Sequence, residues 1–383
     1  MGRRQRRQAG AIVLGALVAA ALLAGQLWLT LRLQWTSREP VADAAIGFNF
    51  SCDQAEYLLL EVPGAGPDGH VDDGRPGRAA WCAEVLGRLF DLTGARLVRL
   101  GVPWDEVEPR EGEWDFAVVD AQLDVVREKG ATANVSIGMK SQRHPEFYVP
   151  DWAVAGVELR DGMVLSEVPV LRERTLRMVA SVTRHLAGRR EIDSWTAENE
   201  GYIASHRARR WALGRDYVAE VAATIRANDP LGRPVAINHA QHYVFDRRWR
   251  DALADGDVLA QSLYPRRNYF VLGRHLVIDI MQLGWLMPNY AYQARVAGAE
   301  GKEFWVTELQ GEPWTDGDAR LISPERPSKN LSPEALTKNV EYARRTGAAR
   351  IYLWGAEWWL FQLERFGDGR WLEAVRSVVR GGS

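Results

Sequence analysis

The sequence predicts an α/β protein, a (β/α)8 TIM barrel preceded by a transmembrane helix, and three observations carry that expectation. Eight short apolar runs alternate with amphipathic helical stretches. The runs are nearly continuous in apolarity and rich in β-branched and aromatic residues, as parallel strands covered on both faces are. Ahead of them, residues 11–31 carry no charge and follow Arg3, Arg4, Arg6 and Arg7.

The N-terminal segment comes first. Crossing the hydrocarbon core takes about 20 apolar residues, and arginines ahead of the run place the N-terminus in the cytoplasm. A cleaved signal has an apolar region of about 7–15 residues. This run is longer and continues through Trp28, Leu29 and Leu31 with no convincing small-residue cleavage site. An uncleaved anchor over residues 1–39 is therefore expected, with an extracytoplasmic domain over 40–383. A cleaved secretory signal and a twin-arginine export signal are the alternatives.

The eight runs are residues 46–51, 96–104, 132–139, 192–200, 234–239, 258–265, 303–310 and 349–359. Between them, residues 115–129 place Phe116, Val119, Leu123 and Val126 at helical spacing. A second helix is expected over 207–228, ending at Asn228-Asp229-Pro230. A third is expected over 333–346, where Ser332 caps and Pro333 occupies the first turn. A doubly wound open sheet competes with the barrel, but it wants a glycine-rich turn after the first strand. Here Ser51-Cys52-Asp53-Gln54 follows. Long loops are expected at 61–79, 140–170 and 311–332. The last two leave the C-terminal ends of strands, where barrel enzymes build their sites.

Composition narrows the function. With 46% hydrophobic and 26% charged residues, the chain is neither disordered, collagen-like nor a polytopic membrane protein. Two cysteines exclude a disulfide-rich scaffold and a four-cysteine zinc site. Outside the cytoplasm, Cys52 and Cys82 either form a disulfide or remain buried thiols. Residues 40–383 hold 42 basic and 49 acidic residues, a poor balance for gripping phosphates, so no nucleic-acid partner is expected. Sixteen tryptophans point to recognition of a ring-shaped ligand.

The strongest chemical signal is a pair of glutamates. Glu200 closes the fourth run in Trp195-Thr196-Ala197-Glu198-Asn199-Glu200, and Glu308 lies near the end of the seventh in Phe304-Trp305-Val306-Thr307-Glu308. The fourth and seventh strands of an eight-stranded barrel face each other across its mouth. Two carboxyls placed there can flank one glycosidic bond, as proton donor and as nucleophile or base. A carboxylate after Phe-Trp-Val-Thr is costly to bury unless it has a partner or a task.

With Asn199-Glu200 closing one strand and Glu308 another, the sequence resembles the clan A glycoside hydrolases, the family 5-like cellulase and mannanase superfamily. Arg99 in Val98-Arg99-Leu100-Gly101 resembles the clan's strand-two arginine. Residues 109–116, Pro-Arg-Glu-Gly-Glu-Trp-Asp-Phe, are similar to its P-x-x-G-x-[WY]-[DN] loop. Tyr264 and Trp354 match its tyrosine and tryptophan. The resemblance implies Glu200 as acid/base, Glu308 as nucleophile, retention of configuration, and an oligo- or polysaccharide substrate with a β-linkage. Two departures stand out: Gly201 where many members carry proline, and Ser262 where family 5 cellulases carry histidine.

Supporting roles follow. Arg99 and Tyr264 are expected to hold Glu308 ionised, Asn199 and His239 to bind sugar hydroxyls, and Trp354, Trp104 and Trp314 to stack on sugar rings. Strand parity sends Asn199 and Glu200 to opposite faces, so a bulge or bend is required there. Glu198 is expected to point into the barrel and pair with an arginine, and Glu312 and Glu357 to line the rim. Glu146 is a further candidate for contact with substrate. His239 and His242 have H-x-x-H spacing but no third ligand, so no metal is expected, and two-carboxylate chemistry draws on no cofactor. An inactive carbohydrate-binding barrel and a transglycosylating one are the alternatives.

Overall fold

The computed structural model describes residues 3–35, 43–60, 77–143, 146–205, 209–241, 245–271, 274–279, 287–314 and 318–381. Eight parallel strands close into a barrel, each paired with its neighbours in chain order and the last with the first. They are Ala45–Phe50, Leu97–Val102, Thr132–Ile137, Ile192–Ala197, Val235–Ala240, Val258–Leu263, Glu303–Gln310 and Arg350–Trp354. Each falls within or overlaps one apolar run of the sequence.

The alternation of each strand splits the core in two. Outward side chains such as Phe48, Val98, Val135 and Trp195 pack beneath the surrounding helices. Inward ones are apolar low in the barrel, where Leu97, Ala236, Ala260, Trp305 and Tyr352 form a separate cluster. Higher up they turn polar: Asn49, Arg99, Asn134, Thr196, Asn238 and Thr307 are all buried. Hydrogen bonds make this layer affordable, for example Thr196 Oγ1 donating to Asn134 Oδ1 at 2.7 Å and Asn238 Nδ2 to Thr307 Oγ1 at 3.1 Å.

The helices largely follow the sequence. Ala117–Glu128 and Pro333–Arg345 form as expected, the latter capped by the Ser332 side chain on the Ala335 N–H. The helix expected over 207–228 begins only at Arg215. Ala212 instead forms an isolated parallel bridge with Val164. Cys52, in helix Cys52–Leu59, is disulfide-bonded to Cys82, in helix Arg78–Thr93, with their Cα atoms 5.6 Å apart. An antiparallel hairpin, Arg266–Val271 with Arg274–Asp279, follows the sixth barrel strand and was not legible as strand.

The N-terminal segment is a helix, Arg3–Trp35, of 33 residues. Its described side chains, residues 12–28, are exposed, Ile12, Leu14, Leu22 and Leu23 among them. Among the described residues no helix is long and apolar enough to cross a membrane.

Candidate active site

The seventh strand places Glu308 through an irregularity. Gln261 pairs with Val306 but Ser262 pairs with Glu308, so Thr307 is an extra residue in the ladder. A bulge lets two consecutive side chains face the same way. Thr307 accepts from Asn238 inside the barrel, and Glu308 still turns into the mouth. Its carboxylate accepts from Arg99 Nη1 at 3.0 Å and from the Tyr264 hydroxyl at 2.7 Å. Arg99 is fully buried and forks, its Nη2 donating to Asn199 Oδ1 at 2.8 Å and its Nη1 also to Asn49 Oδ1 at 3.2 Å.

The fourth strand ends at Ala197, and the chain then bends. Glu198 and Glu200 both adopt left-handed backbone, with φ of 59° and 49°. This is the bend that parity demanded, and it brings Asn199 and Glu200 both to the mouth. The Asn238 side-chain oxygen accepts the Glu200 N–H. Lys140 Nζ donates to the Glu200 carbonyl at 3.1 Å and to that of Ile203 at 3.2 Å. Glu200 itself is half-buried.

Both carboxyls are pushed up. For Glu308 the causes are burial and then the charge of Glu200, opposed by Arg99 and Tyr264. For Glu200 the first cause is burial, opposed by Lys140 and the Ser262 hydroxyl and reinforced by Glu146. The two titrate as a pair. Donors serve both carboxyls, Arg99 and Tyr264 on Glu308 and the Ser262 hydroxyl on Glu200. Burial and the charges of Glu308 and Glu200 push the Tyr264 hydroxyl well above its usual value, which keeps it a donor.

Several expectations are corrected. His239 is fully buried and does not line the mouth. It lies 3.3 Å from Asp246 and beside the Tyr202 ring. Parity in the fifth strand gives the inward position to Asn238 and turns His239 outward. Trp104 is fully buried too: its Nε1 donates to Glu108 at 2.8 Å and its ring meets the edge of Trp152. It is core, not a sugar platform. Glu198 does not pair with an arginine; it accepts from the Met139 N–H at 2.9 Å, the Lys140 N–H at 2.8 Å and the Tyr217 hydroxyl at 2.7 Å. Burial takes its carboxyl up to about 7 despite those donors. His242 lies outside the described residues.

Trp314 is 40% exposed, its ring 4.9 Å from that of Tyr264, at the open edge of the site. Trp354 is nearly buried, because the Arg143 guanidinium lies 4.0 Å over its ring. Arg143 also reaches Glu312 and Glu357, both at 2.5 Å, and so ties the loops after the third and seventh strands to the helix Ala356–Phe366 after the eighth. Glu357 is fully buried by this clamp, and Glu312 accepts from Trp354 Nε1 at 2.8 Å. Sequence reasoning missed both Lys140 and Arg143. The available signal was two cations directly after a buried strand, opening a long loop on the active face. Among the described residues, one group has metal-ligand chemistry, Cys52, Glu56 and Cys82, and its sulfurs are joined in the disulfide.

Known proteins share part of this chain's sequence and its fold. Residues 80–227 match the model of the glycoside hydrolase 42 family, described as beta-galactosidase. The chain is 28% identical to beta-galactosidase BbgII of Bifidobacterium bifidum over 136 residues, 31% of this chain and 19% of that protein. The chain thus matches about a fifth of that relative's length. Among solved structures, a beta-galactosidase from the psychrophilic Marinomonas ef1 is similar with a TM-score of 0.57 at 14% identity, covering 88% of this chain and 59% of that one. A GH5_18 protein from Streptomyces cattleya, solved with GlcNAc, gives 0.56 at 15% identity over 91% and 81% of the two chains. The exo-beta-1,4-mannosidase Op5Man5 from Opitutaceae bacterium strain TAV5 gives 0.53 at 17%, over 90% and 62%. The resemblance to clan A glycoside hydrolases read from the sequence is borne out, and the barrel is the fold they share.

Proposed function

We propose that the chain is a retaining glycoside hydrolase acting on a β-linked glycan. The observation that supports this best is the grip of Arg99 and Tyr264 on Glu308, with Glu200 facing it from the end of the fourth strand. In the first step Glu308 attacks the anomeric carbon while Glu200 passes its proton to the departing oxygen, leaving a glycosyl ester on Glu308. Glu200, now a carboxylate, takes a proton from water. The water attacks the same carbon from the face opposite Glu308 and frees the sugar with its configuration retained.

Asn199 gives its oxygen to Arg99, which leaves its Nδ2 for the sugar 2-hydroxyl. Trp354 and Trp314 are the ring platforms. The names of the relatives make β-galactosides and β-mannosides the first substrates to assay. Residues 11–31, charge-free behind four arginines, are proposed to hold the enzyme in a membrane with the barrel outside the cytoplasm.

Trapping tests the reading. The protein is incubated with activated 2-deoxy-2-fluoro-β-glycosides of both series and digested for mass spectrometry. A glycosyl label on Glu308 is expected. A label on another residue, or no turnover of any β-glycoside in the panel, overturns it.

A further inference from the structure

We propose that Lys140 is a positioning residue for Glu200: from the end of the third barrel strand it clamps the left-handed turn that aims the Glu200 carboxyl into the mouth. The proposal rests on the reading of Glu200 as the acid/base.

A non-glycine residue in left-handed backbone persists only where its surroundings over-determine it. Glu200 is held on both sides. Its N–H is taken by Asn238 from the fifth strand, and its carbonyl by Lys140 Nζ from the third. The same Nζ takes the Ile203 carbonyl, so it fastens both ends of the turn Glu200–Ile203. Lysine is among the residues least often buried, yet the Lys140 side chain is 1% exposed. Among the described residues its one ion pair is loose, with Glu146 Oε2 at 3.9 Å, while its charge also reaches the Glu198 and Glu200 carboxyls. The hydrogen bonds that hold the ammonium run to the carbonyls of the Glu200 turn.

The clamp is itself anchored. Glu198 binds the N–H groups of Met139 and Lys140, and the Asn199 N–H donates to the Lys140 carbonyl at 3.1 Å. Gly138 makes the room: a Cβ there would lie 2.2 Å from the Glu198 carboxyl carbon. The buried carboxylate two residues before Glu200 thus fixes the backbone of the lysine, and the lysine fixes the turn that carries Glu200. The lysine charge also acts on the acid/base. The groups facing Glu200 are Lys140 and Glu146 from the third-strand loop, Arg99 from the second strand, Ser262 from the sixth, Tyr264 just beyond it and Glu308 from the seventh. Lys140 is the cation that favours its carboxylate most.

Leaving-group dependence separates aiming of a proton donor from mere support. Full-length wild type, Lys140→Met, Lys140→Arg and Glu200→Gln are assayed on two aryl β-glycosides of the hydrolysed sugar, one with a strongly activated leaving group and one with a poor one. Thermal unfolding is followed in parallel. Lys140→Met is expected to lose at least about tenfold more kcat/KM on the poor leaving group than on the activated one. The alkaline limb of its pH profile moves up, because the cation that favoured the carboxylate is gone. Lys140→Arg keeps the charge and is expected to keep the wild-type limb while showing a smaller loss of the same kind. Equal losses on both substrates with an unmoved limb overturn the proposal. If the methionine variant does not fold, the arginine variant decides by leaving-group dependence alone, equal losses on both substrates overturning the proposal. Leaving-group dependence in Glu200→Gln but in neither lysine variant overturns the role of Lys140 alone. Its absence in Glu200→Gln removes the acid/base reading and this proposal with it.

Discussion

Arg99 and Glu308 form an ion pair 3.0 Å apart in which the arginine side chain is wholly hidden from solvent. Removing one partner of such a pair strands the other, at a cost of about 3–5 kcal/mol. Arg99→Met is therefore expected to unfold at clearly lower urea. It is also expected to lose about 10²–10³ in kcat/KM, as when one donor to a developing charge is lost. Arg99→Lys should not restore activity, because an ammonium cannot fork to Glu308, Asn49 and Asn199 at once. Near wild-type turnover in Arg99→Met would remove Glu308 from the nucleophile's place.

Glu308→Gln and Glu200→Gln should fail differently. The first cannot attack the anomeric carbon, so no substrate should be turned over. The second should still glycosylate from an activated aryl glycoside and then stall for want of a base. Azide should release it as a glycosyl azide of retained configuration, whereas Glu308→Gly should give the inverted azide. An inverted product from the Glu200 variant would exchange the two roles.

Activity should follow a bell in pH. On the acid side kcat/KM rises as Glu308 loses its proton; on the alkaline side it falls as Glu200 loses the proton it must donate. Burial raises both carboxyls, and the charge of Glu200 raises Glu308 further, so both limbs should stand above the ordinary carboxylate value of about 4.3. Glu200→Gln, assayed on the activated substrate, should lose the alkaline limb and keep the acid one.

Stability has its own pH dependence at Asp229. Burial raises this carboxyl, but hydrogen bonds from Arg233 and Trp195 outweigh it and take it down to about 2. A lowered folded-state value stabilises above the unfolded value of about 3.9 and is lost as pH falls through about 2. Asp229→Asn should thus cost about 2.5 kcal/mol at neutral pH, with the penalty shrinking between pH about 4 and 2. Urea unfolding of both proteins across that range is the measurement, and a pH-independent difference would contradict it.

Residues 40–383, expressed alone, should be soluble and as active as the full chain, which should need detergent to leave the membrane fraction. A full-length protein that stays in the aqueous phase would count against the anchor.

The barrel was legible because strands covered on both faces leave unbroken apolar runs, and Glu308 because a carboxylate closes such a run. What failed has physical causes. His239 and Asn238 are neighbours, and choosing between them needs the inward phase of the fifth strand, which an unbroken run does not reveal. Trp104 follows a strand end as a binding residue would, yet a four-residue helix folds it into the core. Lys140 and Arg143 act on residues far along the chain, such as Glu200 and Glu357, and no local pattern records that.

The extra residue at Thr307 has a consequence for anyone redesigning this barrel. Below it, inward positions of the seventh strand step two by two, through Trp305 to Thr307; at Glu308 the phase slips by one. A mutational library built on simple alternation would randomise Thr307 as lining and treat Glu308 as outer scaffold. Grafting the strand onto another barrel without its irregularity would leave the composition intact and point the Glu308 carboxylate at the helices.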